Sequence, residues 1–135
     1  MITLYIDTNI FLNVINEESN PYGKDMASPA AKMFIEAASC KYNLLISAWT
    51  LEEISRKAKP EQVTAIFALI KKKIIKVSVE EEDKIAAYQR SQDNPSDALH
   101  IVLAEKSKAD IIVTRKVGHF LKIGTKIPIK KPENI

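Results

Sequence analysis

With one cysteine, Cys40, the chain has no internal disulfide to make. That fits a reducing cytosol. Cys40 has no histidine or metal-ligand companion at useful spacing, so it reads as a buried small hydrophobe and not as a nucleophile. No apolar run approaches the roughly 20 residues that a membrane-spanning helix needs. The N-terminus goes straight into an apolar strand pattern, with no basic leader and no cleavage site, so no signal peptide is expected. No membrane partner and a cytoplasmic location follow as expectations. There are three glycines and none forms a phosphate-cradling loop, which removes P-loop and dinucleotide readings. The two histidines, His100 and His119, share no zinc-like spacing, and no Ser-His-Asp frame is recognisable. No repeat and no interdomain linker is visible. A length of 135 residues with 46% hydrophobic content indicates one domain over 1–135.

Charge of one sign is also scarce overall, at a net +3, but it is unevenly placed. Between Arg56 and Lys76 there are seven Lys/Arg and one acid, Glu61. Between Lys106 and Lys131 there are eight Lys/Arg and one acid, Asp110. Residues 80–83 form an acidic block between these segments. Basic segments of this kind can be solvated helix faces; flanking an acidic pocket, they also suit a polyanion.

What is present is an alternation of strand and helix patterns. Residues 2–6 form an apolar, β-branched run, hence a buried strand. A short helix is expected over 9–15 and a loop over 17–25. Ser28 and Pro29 give a cap and a first-turn proline for a helix to about residue 41, burying Ala31, Phe34, Ile35 and Ala38. A strand over 44–47 ends at Ser47, which can cap the helix carrying Trp49, Glu52, Glu53 and Ile54. Pro60 opens an amphipathic helix with Val63, Ile66, Phe67 and Ile70 inward. A strand over 74–79 precedes a helix over 80–91 whose acidic first turn suits the helix dipole. Ser96 is expected to cap a helix to about residue 107. A strand over 111–114, a short helix over 117–121 and an edge strand over 127–129 complete the pattern, since Pro128 tolerates only an edge. Alternating βα units imply a parallel sheet with helices on both faces.

Three carboxylates stand where strands give way to helices. Asp7 follows the first strand. Glu53 lies less than two helical turns after the second. Asp97 opens the apolar stretch from residue 98 to 104. In open α/β sheets the carboxyl ends of the strands share one crevice, where ligands bind. Three acids in such a crevice repel one another unless a cation sits between them, and an all-oxygen site suits Mg²⁺ or Mn²⁺. That points to metal-assisted chemistry on a phosphate. Taken singly, each acid has a plainer reading: Asp7 as an N-cap, Glu53 as a solvated helix residue, Asp97 as a favourable partner of the helix dipole. His100, one turn below Asp97, reads as a core histidine, and His119 as exposed.

Four motifs in order carry a family resemblance. They are Ile6-Asp7-Thr8-Asn9-Ile10-Phe11, residues 46–53 (ISAWTLEE), residues 97–104 (DALHIVLA) and residues 109–115 (ADIIVTR) leading to His119-Phe120. Together they resemble the PIN-domain ribonucleases, the fold shared with VapC-type toxins. The resemblance implies a three-layer α/β/α fold with a central parallel sheet. It implies Mg²⁺ or Mn²⁺ held by the catalytic acids Asp7, Glu53 and Asp97, the second acid lying six residues after Ser47. Asn9 matches a polar residue supporting the first acid, and Thr114 a hydroxyl at the edge of the site. The family often carries Asp or Asn two residues after that hydroxyl. Here the position is Lys116, which would repel a second cation or contact a substrate phosphate; Asp93 is the candidate substitute acid. The resemblance implies RNA as substrate, an antitoxin protein as a potential partner, and a homodimer, for which Trp49 and Phe67 are the apolar candidates unless they are core.

Two other readings stand beside the metal-dependent endoribonuclease. One is a catalytically degenerate PIN-like domain that binds RNA or protein, motivated by Lys116. The other is a haloacid-dehalogenase-type phosphoryl-transfer enzyme with Asp7 as covalent nucleophile. That chemistry wants a second Asp two residues on, where this chain has Asn9.

Overall fold

A computed structural model describes residues 1–16 and 23–135. Among them run β1 (Ile2–Ile6), α1 (Thr8–Ile15), α2 (Ala27–Ala38), β2 (Tyr42–Ser47), α3 (Ala48–Lys57), α4 (Pro60–Ile70), β3 (Ile74–Val77), α5 (Glu81–Arg90), α6 (Pro95–Lys106), β4 (Ile111–Val113), α7 (Val117–Ile123) and β5 (Ile129–Lys130). The five strands form one sheet in the order β3-β2-β1-β4-β5, all parallel. The expected fold class is therefore the observed one: a central parallel sheet with helices on both faces. Of the loop expected over 17–25, residues 17–22 lie outside the described residues.

The alternation of side chains along a strand divides the core in two. Leu4, Ile6, Leu44, Ile46 and Val113 pack on one face with Phe11, Met33, Phe34, Ile54 and Ile70. Tyr5, Leu45 and Ile112, between them in sequence, pack on the other with Ala87, Ile101, Leu103 and Phe120. A strand buried on both faces must be apolar at nearly every position, which is why these strands read as unbroken runs. On the first face Phe11 sits between Phe34 and Phe67, at centroid distances of 4.9 and 5.6 Å. Phe67 is thus packed on the core, as is the half-buried Trp49, whose indole N–H donates to Ser96 Oγ at 3.3 Å.

Several local expectations need correction. Helix α2 begins at Ala27, and it is Asp25, not Ser28, whose side chain accepts from the first-turn amides of Ala27 and Ser28. The buried stripe is Ala30, Met33, Phe34 and Ala37, while Ile35 is 55% exposed. The stripe follows the i, i+3, i+4, i+7 rule, and Ile35 falls one step of about 100° off it. Cys40 is exposed, not buried. It takes a left-handed φ of 67° in the turn that ends α2, which carries it away from the core. Ser96 is not a cap; Asn94 holds that position, Pro95 starts α6, and the Ser96 hydroxyl is used elsewhere. Strand β3 stops at Val77, because the acidic segment after it closes a capping box in which Asp83 accepts from the Glu80 amide at 2.9 Å. Strand β5 is displaced to Ile129–Lys130, since Pro128 has no N–H and contributes only its carbonyl, which accepts from Ile112.

The strand order reverses direction between β1 and β4, so the switch point lies at the carboxyl ends of these two strands. Asp7 follows one of them and Thr114 the other.

Candidate functional site

Asp7 occupies the N-cap position of α1, yet its side chain makes no capping hydrogen bond. The carboxylate is buried and accepts instead from the Thr114 hydroxyl, at 2.8 Å to Oδ2. The cap position thus aims the acid across the switch point. Both N–H groups along this junction are satisfied by the sheet: Asp7 N donates to Val113 O at 3.0 Å and Thr114 N to Lys130 O at 3.0 Å.

Glu53 reaches the crevice from α3. Ser47 fixes that helix start, accepting from the Thr50 amide at 3.1 Å. Glu53 Oε1 then accepts from the Thr8 hydroxyl at 2.6 Å and from His100 Nε2 at 2.9 Å, and Oε2 from the Ser96 hydroxyl at 3.3 Å. Burial pushes its pKa up, but the hydrogen bonds from His100 and Thr8 outweigh that and hold it at about 2. It is an ionised carboxylate at any physiological pH.

His100 is buried and satisfied, as a core histidine should be, and it also lies between the two acids. Its Nε2 lies 2.9 Å from Glu53 Oε1 and 3.5 Å from Asp7 Oδ1. An ionised carboxylate only accepts, so Nε2 carries a proton. Its Nδ1 shares a 2.8 Å hydrogen bond with the Tyr5 hydroxyl, which in turn meets Ser47 Oγ at 3.0 Å. Tyr5 is fully buried, and burial drives its phenol far above the ordinary range despite bonds from Ser47 and Thr50. A buried polar chain therefore runs from the α3 cap through Tyr5 and His100 to the acids, every side chain in it partnered. One signal could have marked His100: it is three residues after Asp97 and so shares a helix face with it.

Asp97 is the third residue of α6 and is buried. Its oxygens face Lys116 Nζ at 3.4 Å and His119 Nδ1 at 3.6 Å. The remaining expected residues are less engaged. Asn9 is half-buried in the first turn of α1 and gives Asp7 no hydrogen bond among the described residues. Asp93 is exposed in the turn before α6. Asp110 lies at the opposite, amino-terminal end of the strands, where its carboxylate accepts from the Thr3 amide at 2.8 Å.

For a divalent cation the donor chemistry fits, since Asp7 and Glu53 supply oxygens and Glu53 is ionised. As the side chains stand, they are engaged by His100, Thr114, Lys116 and His119. Among the described residues no three His, Cys, Asp or Glu side chains form a group able to hold a metal ion. Among those residues, too, no helix is long and apolar enough to cross a membrane.

Comparison with known proteins agrees with the motifs. No curated protein sequence matches the chain. Among solved structures it is similar to VapBC2 from Rickettsia felis bound to a DNA fragment from their promoter, with TM-score 0.62 and 16% identity over 96% of this chain and 98% of that one. It is similar to VapBC-1 from nontypeable Haemophilus influenzae, with TM-score 0.61 and 14% identity over 97% and 98%. A third likeness, to FitAB bound to an IR36 DNA fragment, has TM-score 0.57 and 13% identity over 98% and 96%. At such identities these likenesses speak to the fold. The profile of the PIN domain family matches residues 3–117, from the first strand to the start of α7, and the chain belongs to that family.

Proposed function

We propose that this chain is a metal-dependent endoribonuclease that hydrolyses RNA phosphodiester bonds, of the kind that serves as the toxin of a toxin–antitoxin pair. The observation that carries the reading is the convergence of Asp7, from the end of β1, and Glu53, from helix α3, on the buried Nε2 of His100 at 3.5 and 2.9 Å. Two acids brought this close at a sheet switch point cost stability that a purely structural crevice has no need to spend.

Asp7, Glu53 and Asp97, once released from their present partners, would hold Mg²⁺ or Mn²⁺, which when bound polarises a phosphodiester and lowers the pKa of water. The protein's own residues do the rest. Thr114 fixes the rotamer of Asp7 through its Oδ2. Thr8, Ser96 and His100 fix both oxygens of Glu53. The Lys-rich segments draw in a polyanion without reading its sequence. The similar solved structures are VapBC and FitAB assemblies, two of them on DNA, which supports an antitoxin protein as partner. A homodimer and a cytoplasmic location belong to the same reading.

The test is cleavage of a mixed single-stranded RNA with Mn²⁺, with Mg²⁺ and with EDTA, running Asp7→Asn beside the wild type. Cutting that needs metal and vanishes in the variant supports the nuclease and its first acid. Retained cutting in Asp7→Asn defeats the site. A second reading, a degenerate domain that binds RNA or protein, is favoured by the Lys116–Asp97 pairing. It predicts RNA binding that survives EDTA, no turnover, and tolerance of Asp97→Asn.

A further inference from the structure

The acid crevice carries a cation of its own, and its placement is specific. The Lys116 amide donates to Thr114 Oγ1 at 3.1 Å, and the Thr114 hydroxyl donates to Asp7 Oδ2 at 2.8 Å. The Lys116 backbone is therefore tied to the buried acid through one side chain. Its ammonium lies 3.4 Å from Asp97 Oδ1, with the lysine side chain 40% exposed and that of Asp97 8%. A lysine ammonium has three donors, of which Asp97 occupies one. Among the described residues the other two have no protein partner, and the partial exposure of the side chain leaves them to solvent. A lysine that served only to neutralise Asp97 would gain from being covered. This one stays partly exposed, next to an acid that would repel an incoming phosphate.

We propose that Lys116 is a phosphate-binding residue of this site: its ammonium takes a non-bridging oxygen of an RNA backbone phosphate, positioned by Asp97 on one side and by the Thr114–Asp7 bond on the other. The choice of RNA rests on the nuclease reading; the contact itself needs neither metal nor turnover. Asp97 holds the ammonium as a point charge in a fixed place, and the phosphate enters opposite the carboxylate.

The experiment is fluorescence anisotropy of a fluorescein-labelled, mixed-sequence 2′-O-methyl RNA in EDTA, across a salt series. Wild type is compared with Lys116→Gln, Lys116→Arg and Lys108→Gln. Lys108 precedes β4, at the amino-terminal end of the strands and away from the acids, and controls for the loss of one charge anywhere. Lys116→Gln should weaken binding by about five-fold and flatten the salt slope by about one, the signature of one lost phosphate contact. Lys116→Arg should stay within about two-fold of wild type, because it keeps the charge, and so should Lys108→Gln, because its charge is remote. The proposal is overturned if Lys116→Gln loses no more than Lys108→Gln, or if the wild type fails to bind. Cleavage in Mn²⁺ is scored separately. A protein that binds through Lys116 and cuts nothing removes the nuclease and leaves this contact; one that cuts RNA equally well with and without Lys116 removes the contact and leaves the nuclease.

Discussion

Replacing Arg115 with alanine should destabilise the fold by about 3 kcal/mol. The guanidinium is 14% exposed and ties three separate parts of the chain together. Its Nε donates to Asn13 Oδ1 of α1 at 2.6 Å, Nη2 to the Met26 carbonyl ahead of α2 at 2.8 Å, and Nη1 to both Glu133 oxygens at 2.9 and 3.1 Å. Charge-assisted bonds contribute about 1.5–3 kcal/mol each when dry. The Glu133 side chain is 23% exposed, so water reaches it and the lower end applies. Breaking a largely buried pair from one side costs about 3–5 kcal/mol, and partial solvation again favours the lower figure. In urea, with a slope of about 1.5 kcal/mol per molar for a protein of this size, the midpoint should fall by about 2 M. Lowering the pH gives a second readout. Burial pushes the Glu133 carboxyl up, but hydrogen bonds from its own amide and from Arg115 hold it below its ordinary 4.5. A depressed folded pKa stabilises above the unfolded value and is lost as pH falls through the folded one. The difference between wild type and Arg115→Ala should therefore be full at pH 7 and shrink below about pH 4. A loss under about 1 kcal/mol at pH 7 would refute the reasoning and mean that the desolvation of the guanidinium cancels its bonds.

Further outcomes are expected. His100→Leu removes the donor to Glu53, the cationic neighbour of Asp7 when protonated, and one of the two partners of the Tyr5 hydroxyl; chemical denaturation should show a loss of about 2–4 kcal/mol, and a loss below about 1 would mean the junction is not stabilising. Asp83→Asn breaks the 2.8 Å pair with Lys106 that joins α5 to α6. Burial raises the Asp83 pKa, yet Lys106 and the Glu80 amide bring it below its ordinary 3.8, so the penalty of about 1 kcal/mol seen in thermal melts at pH 7 should fade as pH drops below about 4. Ser47→Ala removes the α3 cap and a partner of Tyr5, and should cost about 1–2 kcal/mol in the same assay. Cys40 should react fully with a thiol reagent such as Ellman's in the absence of denaturant; protection there would contradict its exposure.

The parallel sheet was legible because a strand buried on both faces has no polar position to confuse the pattern, as residues 2–6 and 44–47 show. The placement of Asp7 and Asp97 at helix starts was legible because each stands at the end of an apolar run. What failed were features that depend on direction and not on periodicity. Ile35 and Phe34 are neighbours of like hydrophobicity, and only the register of α2 against the sheet separates them. Cys40 left the core because one residue adopts a left-handed turn that no local pattern announces. His100 is the satisfied core histidine that the sequence suggests, but its link to the acids was not legible, because that depends on what β1 and α3 bring opposite it. The pairing of Asp97 with Lys116 joins an α6 helix start to the loop after β4, and 19 residues of sequence separation conceal it.

The central position of β1 has a consequence for the order of events during synthesis. Its neighbours are β2 and β4, and the bond that fixes Asp7 spans 107 residues. A ribosome must release the chain beyond Thr114, and some tens of residues more to clear its tunnel, before that bond can close. Long-range closures of this kind form late, after the local helices. The first strand to emerge thus waits for nearly the last before its acid is set, and the crevice is among the last parts of the sheet to be assembled.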